Sequence, residues 1–97
     1  MKAIIRTTRF TADPAATEKV LAARAALIAA LRAKISGPSE AKLIRVDERT
    51  WVDIWRWDSP ADLEAAAELA PTLPEARAAF AVANDPTAES GELVDER

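Results

Sequence analysis

The chain has 97 residues, 49% hydrophobic and 30% charged, which suits one folded domain over residues 1–97 and excludes a disordered chain or two separate cores. It contains no cysteine, histidine or tyrosine, which removes disulfides, thiolate and imidazole metal sites, a cysteine nucleophile, a histidine base and an axial histidine ligand. A net charge of −3, no apolar run of membrane-spanning length and no signal-peptide pattern at the start predict a soluble cytoplasmic protein with no nucleic-acid and no membrane partner.

Met1 to Thr11 reads as a strand. Ala3-Ile4-Ile5 is apolar on both parities, as in a central strand, and Thr7, Thr8 and Phe10 favour extended backbone. Arg6 and Arg9 on this strand are expected to face solvent or an ion pair. Asp13 is a good helix cap and Pro14 fits the first helical position, where its missing N–H is not needed. The helix is predicted to run to about Ser36. Val20, Leu21, Leu27, Ile28, Leu31 and Ile35 form its apolar side, while Arg24, Arg32 and Lys34 project elsewhere. Gly37-Pro38 ends it.

Ala41 to Asp58 reads as a hairpin with alternating arms, Lys42–Asp47 and Trp51–Trp57, and a turn near Glu48-Arg49-Thr50. Ser59 caps the next helix, Pro60 takes its first turn, and Asp62 suits its positive end. Pro71 breaks that helix near Ala70, and a further one is predicted to about Ala83. Asn84-Asp85-Pro86 reads as a turn and Thr87–Val94 as a weaker strand with a bulge at Gly91, followed by a frayed tail. The order β-α-β-β-α-β predicts an α+β, ferredoxin-like fold: a four-stranded antiparallel sheet with its helices on one face.

Parity on the hairpin is the informative step. Placing the β-branched residues Ile44, Val46, Val52 and Ile54 under the helices pairs Val46 with Val52 and Ile44 with Ile54. The opposite parity then pairs Arg45 with Asp53 and Leu43 with Trp55, and sends Trp51, Trp55 and Trp57 to the helix-free face. Such an apolar patch requires a cover. Alanine fills 23 positions and each buries little area, so a second copy is the expected cover. Burial there would contribute several kcal/mol, at ~25 cal/mol per Å2. The indoles, Leu43 and an Arg45–Asp53 pair could also line a small-molecule cavity.

The stretch Thr50-Trp51-Val52-Asp53-Ile54-Trp55-Arg56-Trp57-Asp58-Ser59-Pro60-Ala61-Asp62-Leu63 carries a resemblance. With the later Leu-Pro break and the helix carrying Phe80, it resembles the antibiotic-biosynthesis-monooxygenase-like group of the dimeric α+β barrel superfamily. The resemblance implies a homodimer closed by two facing sheets. For some members it also implies oxygen insertion into aromatic, polyketide-like substrates without metal, flavin or haem, by deprotonation to a carbanion that reduces dioxygen directly. On that implication no cofactor and no metal is expected. Trp57 matches the tryptophan such enzymes use. Asp53 stands where they carry an asparagine, and their tyrosine has no counterpart. The histidine of haem-degrading relatives is also missing.

Three functions therefore stand side by side. In a cofactor-independent monooxygenase, Trp57, Asp53 and Arg45 are the catalytic candidates, and Trp51, Trp55 and Leu43 the ligand-binding ones. In a non-catalytic accessory or ligand-binding homodimer, the tryptophan face is the interface and the ligand a hydrophobic or aromatic small molecule. An RNA-recognition module shares the element order and places aromatics on its third strand. Asp53 among the aromatics, the lack of the glycines in that module's signature and the acidic charge speak against it.

Overall fold

A computed structural model describes residues 2–97, so Met1, the predicted start of the first strand, lies outside the described residues. The elements are β1 (Ile4–Thr11), α1 (Thr17–Lys34), β2 (Glu40–Arg45), β3 (Thr50–Trp57), α2 (Pro60–Leu69), α3 (Pro74–Ala81) and β4 (Asn84–Glu92). Single 3-10 turns, Pro14–Ala16 and Ala70–Thr72, lead into α1 and join α2 to α3. The strands lie in the order β2-β3-β1-β4 and every neighbouring pair is antiparallel, the ferredoxin-like α+β arrangement expected.

Local chemistry sets the helix starts. The Asp13 carboxylate accepts from the Ala15 N–H at 2.9 Å, and the Ser59 hydroxyl accepts from the Asp62 N–H at 3.2 Å; each cap is followed by proline. After α1 the chain turns through Gly37 at φ 121°, a backbone region where a side chain is strained. Gly37 also lies under an indole: a Cβ there would sit 3.1 Å from Cε3 of Trp57.

The hairpin departs from the predicted register by two residues. Ile44 lies opposite Val52, Leu43 opposite Asp53 and Arg45 opposite Trp51. The cause is a loop that keeps three residues but begins one residue earlier than expected. The Val46 N–H donates to the Thr50 carbonyl at 2.9 Å, leaving Asp47-Glu48-Arg49 to turn the corner. The Asp47 carboxylate steadies it by accepting from the Arg49 and Thr50 N–H groups at 2.9 and 2.8 Å. These donors, Arg49 first, hold the Asp47 carboxyl below its usual range.

Parity is the larger correction. Trp51 and Trp57 are 6% and 1% exposed, buried by this chain's own helices, and Asp53 between them is 8% exposed. Val52, Ile54 and Ile44 occupy the helix-free face instead. The tryptophan face is therefore not an interface awaiting a second copy. The physical reason lies in the helices. Ala66 and Ala76 present only methyl groups to the sheet, and the gap they leave is filled by the bulk of Trp57 together with Leu31 and Leu73. A second cluster gathers Phe10, Ala12, Val20 and Trp51, with the Phe10 and Trp51 rings stacked at 6.5 Å.

β4 starts earlier than predicted and includes Asn84-Asp85-Pro86. The register against β1 shifts there, where Asp85 adopts φ 50°, whereas Gly91 pairs regularly with Ile5 and forms no bulge. The last strand is extended by the Leu93 N–H donating to the Ala3 carbonyl at 2.9 Å, and the tail expected to fray is tied at one point, where Glu96 pairs with Arg56.

Candidate active site between the sheet and the helices

The two core clusters do not meet. Between them lies a cavity of about 590 Å3, floored by the sheet and roofed by the three helices. Its floor carries Arg6 and Thr8 from β1 and Asp53, Trp55 and Trp57 from β3, all on one parity. The cross-strand register sets Arg6 beside Trp55 and Thr8 beside Asp53. The roof is Arg24, Leu27 and Leu31 of α1 with alanines of α2 and α3, and Phe80, 60% exposed, stands at the rim.

An ion pair spans the two layers. Nε and Nη2 of Arg24 donate to the two oxygens of Asp53 at 3.0 and 3.1 Å, with 20% and 11% of the two side chains exposed. The Trp55 Nε1–H also donates to Asp53, at 2.6 Å. Both carboxylate oxygens are thus engaged, one of them twice. Asp53 consequently fixes Arg24 and Trp55 in place, and the guanidinium keeps donors in hand. Trp57 is the opposite case. Its Nε1 is buried with no hydrogen-bond partner among the described residues. An unsatisfied buried donor costs about 1–3 kcal/mol, and the residue that carries this one is among those lining the cavity. Its ring lies tilted against Trp55 at 6.1 Å between centroids.

Of the predicted site residues, the cavity brings together Trp57, Asp53 and Trp55. It does not include the other three. Arg45 lies over the Trp51 ring at 4.3 Å and donates to the Thr17 hydroxyl at 2.9 Å, so the expected Arg45–Asp53 pair does not form. Trp51 and Leu43 belong to the Phe10 cluster as packing.

One residue on the wall, Arg24, departs from the expectation. Arg24 does not project away from the core; it follows Val20 by four and precedes Leu27 by three, on the very stripe that faces the sheet. That spacing was the available signal. Arg6 is exposed, as expected, and because it shares the parity of Phe10 it also borders the cavity, donating to the Ser90 hydroxyl at 3.0 Å.

No family profile matches the chain and no curated protein matches its sequence. Solved structures do. SnoaB, a cofactor-independent oxygenase from Streptomyces nogalater, is 24% identical with a TM-score of 0.71, covering 100% of this chain and 96% of that one. A candidate antibiotic biosynthesis monooxygenase from Caulobacter crescentus is 16% identical with a TM-score of 0.76, covering 97% of this chain and 92% of that one. A dimeric ferredoxin-like protein from an uncultured marine organism is 13% identical with a TM-score of 0.72, covering 100% and 92%. Among the described residues no helix is long and apolar enough to cross a membrane. These structures share the chain's ferredoxin-like α+β fold.

Proposed function

We propose that this chain is a homodimeric, cofactor-independent oxygenase acting on an aromatic, polyketide-like substrate. The observation that carries the reading is the cavity of about 590 Å3 whose wall includes Trp57, with a buried indole N–H that has no acceptor among the described residues. A cavity of this size, mostly apolar with a few fixed donors, suits a fused-ring ligand. The Trp57 N–H would hold the ring oxygen that becomes an enolate when the adjacent methylene loses a proton, and a donor kept ready for developing charge favours that ionisation. The carbanion then reduces dioxygen. Overall a methylene and dioxygen become a carbonyl and water, with the electrons drawn from the substrate itself. Asp53, already accepting from Arg24 and Trp55, serves as a positioning residue rather than as the base.

The dimer would use the other sheet face. Ile5, Ile44, Val52 and Ile54 lie together there, no helix among the described residues covers them, and Ile44 is 46% exposed. The dimeric state of the ferredoxin-like neighbour supports that arrangement.

The test is oxygen uptake with a panel of hydroxyanthrone-type phenols. The expected result is one dioxygen consumed per quinone formed, with turnover at least tenfold lower in Trp57→Phe, as for loss of one oxyanion donor. Uptake at background across the panel, or undiminished turnover in Trp57→Phe, would overturn the reading.

A further inference from the structure

Two arginines face the cavity from opposite layers, Arg24 from α1 and Arg6 from β1. Neither has its donors exhausted. Arg24 turns Nε and Nη2 toward Asp53, and its Nη1 makes no hydrogen bond to another described residue. Arg6 donates from Nη1 to the neutral Ser90 hydroxyl and forms no ion pair among the described residues. On the acceptor side, Asp53 already receives three donors, and the remaining carboxylate on the wall, Glu64 of α2, is exposed at the surface. Arg24, with its side chain 20% exposed, and Arg6, on the exposed side of the wall, therefore both offer N–H donors that no carboxylate of the described residues takes up. Guanidinium groups in that condition recognise anionic oxygens, and the alanine-lined roof recognises a flat apolar body.

We infer that the cavity selects an aromatic ligand bearing an anionic oxygen group, with Arg24 and Arg6 as the residues that bind it. This rests on the enzyme reading above only in placing the substrate in the same cavity, and it narrows the substrate class to aromatic acids and ionised phenols.

The experiment uses two fluorescent probes with the same rings, anilinonaphthalenesulfonate and its uncharged counterpart phenylnaphthylamine. Energy transfer from tryptophan gives dissociation constants for the unmodified protein, for Arg6→Gln, and for the double variant Arg24→Gln with Asp53→Asn. The double variant removes both charges together and so strands neither, and near-ultraviolet circular dichroism checks its packing. Arg6 is exposed, so its variant remains informative if the double variant fails to fold.

The sulfonate probe is expected to weaken about tenfold in each folded variant, the worth of one charge-assisted hydrogen bond, while the neutral probe stays within about threefold. Equal weakening of both probes, or no change in either, would overturn the inference and leave the cavity standing. Failure of both probes to bind the unmodified protein would overturn the cavity reading as well.

Discussion

Replacing the Arg24–Asp53 pair by apolar residues of similar size, singly and together, tests the site at its structural centre. At an effective dielectric near 20, charges about 4 Å apart attract by about 4 kcal/mol, and most of that is offset by lost hydration. Breaking such a pair from one side is the severe change, because the other charge stays buried alone. Arg24→Met leaves Asp53, 11% exposed, with only the Trp55 N–H, so a loss of about 3–5 kcal/mol is expected. Asp53→Leu strands a guanidinium that is 20% exposed and frees the Trp55 N–H, for a loss of about 3 kcal/mol. The double variant removes both charges and should lose only about 1–2 kcal/mol, chiefly from that indole. Urea unfolding followed by tryptophan fluorescence reads these differences. With a slope of about 1–3 kcal/mol per molar, Arg24→Met should lower the midpoint by about 1–5 M. The signature is a double variant more stable than either single one. If the two losses simply add to within about 0.5 kcal/mol, the charges are independently hydrated and the pair does not organise the cavity.

Gly37→Ala should destabilise by about 1–3 kcal/mol, since the new Cβ meets positive φ and the Trp57 ring 3.1 Å away; a calorimetric Tm lowered by several degrees checks it. Trp57→Phe should change stability by less than about 1.5 kcal/mol, because the lost ring area is offset by removal of an unsatisfied donor, so any large activity loss is chemical rather than structural. Ile54→Lys places a charge on the open face and should shift sedimentation equilibrium from dimer to monomer at micromolar concentration, with unchanged far-ultraviolet circular dichroism. Asp47 has a folded-state carboxyl held below its ordinary value of 3.8, so its loop bonds stabilise above that value and are lost as pH falls through the lower folded one. In an NMR titration its carboxyl carbon should move at lower pH than in an unfolded peptide, and coincidence of the two curves would refute the loop geometry.

The amount legible beforehand differed from element to element. Strand and helix order, the Asp13 and Ser59 caps and the break at Pro71 are local properties, and each appears where expected. The hairpin register was off by two because the three-residue loop begins one residue earlier, at Asp47, held there by side-chain bonds that no dipeptide signal marks. Parity was unreadable from the hairpin itself. Both sides of β3 are apolar, β-branched on one and indole on the other, so alternation identifies a strand and leaves its orientation open.

The site shows the same division. Trp57, Trp55 and Asp53 were legible as a constellation because alternate residues share a face of a strand. Arg24 was legible in principle from the Val20–Leu27 spacing, but an arginine on an apolar stripe reads as a surface residue until its counter-ion is known. That counter-ion lies 29 positions away on another layer.

By itself, then, the amino-acid order determined the sequence of elements, their caps and the clustering of indoles with one carboxylate. Tertiary packing alone decided that the indoles turn inward, that Arg24 rather than Arg45 meets Asp53, and that a cavity opens between two cores. Alanine-rich helices stand off from a sheet by an amount no local pattern encodes, and only side chains as large as tryptophan fill part of the gap they leave.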